Sequence, residues 1–109
     1  MKREVITYNQ IEGFHRYPDA PEFCNYLEAR HRHIFVIRCR FTVTHCNREI
    51  EINAMQRAIE GYLYDRFNYP CEFGELSCEH IAEELLSHFA GMVSAEVLED
   101  GYGGASLTR

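Results

Sequence analysis

No stretch of this 109-residue chain approaches the roughly 20 consecutive apolar residues that a membrane-spanning helix requires, so no membrane partner is expected. The opening MKREVITYNQ lacks the apolar core of a secretory signal, which makes the cytoplasm the expected compartment. Positive charge is scarce too: 11 Lys and Arg face 17 Asp and Glu, leaving a formal charge of −6. Binding nucleic acid without regard to sequence draws on clustered cations that displace counterions, so no nucleic-acid partner is expected. One basic run exists, RHRHIFVIRCR at 30–40, but its charges alternate as on a solvated strand face or one that serves a small anionic ligand. The five cysteines (24, 39, 46, 71, 78) include no CxxC pair, which argues against a cysteine-based zinc knuckle. Only three prolines interrupt a chain that is 46% hydrophobic, so one folded globular domain over residues 1–109 is expected.

Alternation is clearest over 31–45. Phe35, Ile37, Cys39, Phe41 and Val43 share one face of a strand, and Arg38, Arg40, Thr42 and Thr44 the other. Val5–His15 alternates more weakly around Gly13. Pro18 and Pro21 break the pattern between these strands, so 16–30 reads as loop. After a turn at HCNRE and a short extended piece, Glu49–Ile52, Asn53 with Gln56 three residues on predicts the capped start of a helix. Met55, Ile59, Tyr62 and Leu63 form its apolar stripe, and residues 68–76 read as loop around Pro70. Ser77 predicts the cap of a second helix, with Ile81, Ala82, Leu85 and Phe89 on its buried face and Gly91 as its stop. Val93–Glu99 and Ala105–Thr108 complete the pattern as strands either side of a GYGG turn. Strands at both ends and helices in the middle predict an α+β domain, a four-stranded antiparallel sheet with two helices packed on one face.

Residues i and i+2 of a strand project from the same face, so His31 and His33 point together. His15 ends the preceding strand and reaches the same place if the two strands pair antiparallel. Zinc held by three histidines normally keeps a fourth position for water or substrate, the catalytic rather than the structural arrangement. Spacing alone also admits a polar strand face, because His45 shares the parity of the pair without an evident purpose.

Taken in order, these pieces resemble the 6-pyruvoyltetrahydropterin synthase and 6-carboxytetrahydropterin synthase family over nearly the whole chain. Gly13-Phe14-His15-Arg16 is similar to the family's Phe-x-Ala-x-His-Arg strand element. His31-Arg32-His33-Ile34-Phe35 is similar to its His-Gly-His entry into a strand, with arginine in place of glycine. Leu76-Ser77-Cys78-Glu79-His80 resembles its Pro-Thr-x-Glu-Asn helix start, and Val97-Leu98-Glu99-Asp100 its terminal Val-x-Glu-Thr. The resemblance implies a tunnelling fold, in which subunit sheets assemble into a barrel within a homohexamer built as a dimer of trimers. It implies Zn2+ on His15, His31 and His33, and a reduced pterin triphosphate, 7,8-dihydroneopterin triphosphate, as substrate at subunit interfaces. Elimination of triphosphate and rearrangement of the side chain, a lyase-type reaction of queuosine or tetrahydropterin biosynthesis, is the implied chemistry. Glu99 would anchor the amino-pyrimidine edge, since a carboxylate accepts two N–H bonds side by side. Ser77 and Glu79 would lie near the same pocket.

The family's synthases use a thiolate base, and Cys24 is the only cysteine between His15 and His31. A thiol near zinc and imidazoles can ionise at neutral pH. Glu28, three residues before His31, makes Glu-x-x-His-x-His instead; members with glutamate there cleave the side chain toward folate precursors, with the carboxylate as general base. The family's Leu-Asp-His after the first helix has no counterpart. Gapless counting puts Phe67-Asn68-Tyr69 there, a three-residue shift puts Asp65-Arg66, and no histidine occurs between His45 and His80. Asparagine cannot orient a charged partner as aspartate does, and tyrosine is a far weaker base near neutral pH. A non-catalytic member that binds zinc and a pterin or purine is therefore the alternative expectation.

Overall fold

The long alternating segment at 31–43 needs a partner on each side, and the computed structural model, which describes residues 1–109, supplies both. Strand β1 (Arg3–His15) pairs antiparallel with β2 (His31–Val43) along its whole length, from Arg3 opposite Val43 to His15 opposite His31. Next come α1 (Ile52–Phe67), β3 (Cys71–Gly74), α2 (Cys78–His88), β4 (Met92–Glu99) and β5 (Gly103–Thr108). β4 lies antiparallel on the other side of β2, and β5 antiparallel on β4.

The domain is α+β, but the sheet has five strands in the order β3-β1-β2-β4-β5, and β3 runs parallel to β1. The expected four-stranded, wholly antiparallel sheet is corrected by the segment Cys71–Gly74, which lies within the stretch read as loop. Four residues are too few to display a period, yet Cys71 and Phe73 turn inward while Glu72 and Gly74 face out. The sheet is not closed: β3 and β5 are its edges. A further helical piece, a 3-10 segment at Glu22–Glu28 with no buried residue, occupies the expected loop between β1 and β2.

Both α-helices lie on one face of the sheet, α1 over β1 and β3, α2 over β4 and β5. Ile59 and Leu63 of α1 and Ile81, Ala82 and Leu85 of α2 meet Ile11, Phe35, Ile37, Cys39, Phe41 and Val97 in one apolar core. Phe89 is only partly buried, because the helix has already ended and Phe89 is its C-cap. Ser77 caps α2 as expected, accepting the His80 N–H at 3.1 Å. The cap of α1 is Glu51 rather than Asn53: its carboxylate accepts the Ala54 N–H at 2.6 Å. Gln56 is drawn away from any capping role and donates to the Tyr8 carbonyl at 2.8 Å, tying α1 to β1. No helix is long and apolar enough to cross a membrane.

Candidate metal centre

Register alone gathers the three histidines. His15 faces His31 across the β1–β2 ladder, and His33 sits opposite Gly13, two residues along on the same inward parity. The ring centroids lie 4.7 Å (His15–His31), 5.2 Å (His15–His33) and 4.9 Å (His31–His33) apart. Phe35 and Phe73 pack beneath them, and Gly13 makes that packing possible. A Cβ at Gly13 would stand 2.7 Å from the Phe73 ring and 3.1 Å from the Phe35 ring, well inside contact distance.

The next strand brings a carboxylate. β4 pairs with β2 so that Glu99 stands opposite Phe35, and its Oε2 lies 2.9 Å from His33 Nε2 and 3.4 Å from His15 Nε2. One ligand atom from each of His15, His31, His33 and Glu99 falls within 4.8 Å of all the others. His15 is buried and the other three are partly so.

The outer nitrogens of the rings decide which way the inner ones face. His15 Nδ1 lies 2.9 Å from the Leu76 carbonyl, His31 Nδ1 2.8 Å from the Ala29 carbonyl, and His33 Nδ1 2.6 Å from Asp100 Oδ2. A carbonyl or an ionised carboxylate only accepts, so each Nδ1 carries the proton and donates it. In the neutral imidazole this leaves Nε2 as the nitrogen with the free lone pair, the state a metal ligand needs. His33 Nε2 is buried and has no hydrogen-bond partner; its close approach to Glu99 is off the line of a hydrogen bond. Three neutral imidazoles and a carboxylate gathered this closely are matched by a cation. The cluster can therefore hold a metal ion.

A cavity of about 600 Å3 opens beside the cluster. His15, His31 and Glu99 line it, together with Ser77 and Glu79 at the start of α2. Five of the eight residues singled out in the sequence thus share one wall, and His33 joins them through Glu99. Cys24 and Glu28 are not among the lining residues. Cys24 is half-buried in the 3-10 segment, where its φ of −134° interrupts the helical run. Glu28 engages Arg16, the residue just past the end of β1, through its backbone, its carbonyl accepting from Arg16 Nε at 2.9 Å.

Two features of the site carried no sequence signal strong enough to find them. The cysteine that does line the cavity is Cys78, whose thiol burial pushes up to about 12, with Glu99 and Glu79 adding to the effect. It is a neutral thiol rather than a nucleophile at neutral pH. Iodoacetamide at neutral pH is accordingly expected to label the exposed Cys46 at least tenfold faster than Cys39, Cys71 or Cys78, all buried. Peptide mapping that found Cys78 labelled as fast as Cys46 would contradict this. The second feature is Asp100, whose carboxyl is held below its usual range by the Ile34 N–H and then by His33. It follows Glu99 directly, and alternation alone would send it to the opposite face.

No protein-family model matches the chain, and no curated protein matches it. What the site can do rests on its own geometry.

Proposed function

We propose that the chain is a zinc-dependent pterin enzyme of the 6-carboxy- or 6-pyruvoyl-tetrahydropterin synthase type, acting on 7,8-dihydroneopterin triphosphate. The observation that carries this reading is the convergence of His15, His31 and His33 with Glu99, their candidate ligand atoms within 4.8 Å of one another, beside a cavity of about 600 Å3, large enough for a small ligand. A donor set of three imidazoles suits zinc better than the hard cations calcium and magnesium, which prefer all-oxygen shells. Bound there, zinc supplies Lewis acidity that polarises a side-chain hydroxyl and loosens the neighbouring protons.

The chain's own residues do the rest. His15, His31 and His33 hold the ion, each fixed from behind by its Nδ1 bond. Glu99, on the cavity wall, accepts the N–H groups of the amino-pyrimidine edge, with Ser77 and Glu79 beside it. Arg16 is the one Lys or Arg on that wall and faces the anionic end of the substrate. Cys24 serves as the base for elimination and rearrangement; cleavage of the side chain with Glu28 as base is the enzymatic alternative. Both residues stand on the segment between the ligand strands. The open edges at β3 and β5 support assembly of the sheets into the barrel of a tunnelling fold, as a homohexamer of two trimers. Five free cysteines fit a reducing cytoplasm.

A second reading is a non-catalytic member that binds zinc and a pterin or purine without turnover. It is favoured by the position of Cys24 and Glu28 outside the cavity lining and by a neutral thiol at Cys78 within it. Incubating the zinc-loaded protein with dihydroneopterin triphosphate and identifying the product by mass separates the readings. A 6-carboxy- or 6-pyruvoyl-tetrahydropterin supports the synthase, and C24A is then expected to lose about 10²- to 10⁴-fold in rate, as removal of a general base does. A 6-hydroxymethyl product points to Glu28. Binding without turnover selects the non-catalytic reading, and absence of both binding and turnover sinks the pterin assignment.

A further inference from the structure

We propose that Asp100 is the positioning residue that locks His33 in its metal-ligating tautomer, forming a carboxylate–histidine pair behind the metal-facing nitrogen. The three histidines are not anchored alike. The Nδ1 groups of His15 and His31 donate to backbone carbonyls, those of Leu76 in the β3–α2 connection and of Ala29 just before β2. His33 alone is anchored by a side chain, with Nδ1 2.6 Å from Asp100 Oδ2.

Asp100 is itself clamped. Its other oxygen, Oδ1, accepts the Ile34 N–H at 2.8 Å, and its own N–H donates to the Ile34 carbonyl at 2.8 Å. These two bonds grip the residue next to His33, so the carboxylate cannot drift from the ring. A φ of +53° at Asp100 breaks the alternation of β4 and lets Glu99 and Asp100, neighbours in sequence, both reach the histidine cluster. Aspartate tolerates that left-handed conformation better than most residues. The result is a division of labour between adjacent acids: Glu99 approaches His33 Nε2 from the cavity side, and Asp100 takes Nδ1 from behind.

An amide cannot copy this. Asp100 accepts from two N–H groups, one on each oxygen, whereas asparagine offers one oxygen and one NH2. If the amide oxygen keeps the Ile34 N–H, its NH2 faces His33 Nδ1 and demands a lone pair there. The proton then moves to Nε2, where it blocks the metal. D100G accepts the positive φ and admits water, which can still accept from Nδ1.

The inference rests on the metal-binding reading of the cluster and is independent of the pterin chemistry. Zinc affinity by competition with a chromophoric chelator, and the His33 tautomer by ¹⁵N NMR of the metal-free chain with imidazole neutral, test it together. We expect Nδ1–H at His33 in the wild type, a switch to Nε2–H in D100N, and a loss of about 10- to 100-fold in zinc affinity, typical of metal-site supporting residues. D100G is expected to lose less. Zinc affinity in D100N within twofold of wild type overturns the inference. So does a wild-type His33 protonated on Nε2, a result that needs no variant to fold. A wild-type chain that takes up no zinc overturns the metal reading and this inference with it.

Discussion

Replacing His31 with alanine is expected to lower zinc affinity by about two orders of magnitude or more while leaving the fold intact. Apparent binding free energies of structural zinc sites run to roughly 10–16 kcal/mol over four ligands, so one ligand accounts for about 3 kcal/mol. His31 is the cleanest of the three to remove, because it is only partly buried and stands at the very start of β2. His15 is buried against Phe35, so its loss would confound metal binding with packing. The matching control is His45, which continues the parity of His31 and His33 but is exposed and sits 3.6 Å from Glu49 instead. H45A should keep the wild-type zinc content and affinity. Metal analysis after gel filtration, with chelator competition for the affinity, reads both variants. If H31A retained stoichiometric zinc at unchanged affinity, the centre would lie elsewhere. Wild-type protein should also gain about 4 kcal/mol of stability at a free zinc concentration a thousandfold above its dissociation constant, and H31A far less at the same concentration.

The His45 control also shows what the sequence could and could not disclose. Parity places His31, His33 and His45 on one strand face, and nothing in spacing separates the third from the first two. Register separates them: His31 and His33 stand opposite His15 and Gly13, whereas His45 lies past the end of the strand. The long strands, both helices and the Ser77 cap were legible because each repeats a period or carries a local hydrogen-bonding rule over several residues. β3 was not, because Cys71 and Phe73 are its only inward residues and a parallel pairing with β1 leaves no local mark. The expected Asn53 cap falls inside the helix, which begins at Ile52: Glu51 caps it through the Ala54 N–H, and the Asn53 side chain donates to Glu51. Glu99 was expected as a pterin anchor, not beside the histidines, because its approach to their nitrogens depends on β4 lying next to β2, a long-range pairing. Asp100 depends on one positive φ, which no alternation pattern encodes.

Truncating Phe35 to alanine is expected to produce the largest loss of stability in the chain, about 3–5 kcal/mol, and to weaken metal binding as well. Phe35 is fully buried, and its ring packs edge-on against Phe73 at 5.0 Å, His15 at 5.2 Å and His33 at 5.6 Å. It is thus at once part of the apolar core and the floor of the histidine cluster. Domains of this size hold together by roughly 5–15 kcal/mol in total, so F35A leaves a narrow margin. Urea unfolding should show a lower midpoint with little change in slope, since the fold that melts is the same. F89A is the comparator: Phe89 is only partly buried at the end of α2 and packs against Tyr62 and His88 rather than the centre. Its loss should be smaller and should leave zinc affinity alone. The two variants therefore separate core packing from support of the site. A cost below about 1 kcal/mol for F35A would mean that the rings above and below it close the gap without it. Zinc should restore part of the lost stability in F35A, because binding favours the folded chain, but less than it adds to the wild type, because the imidazoles have lost the ring that fixes their spacing.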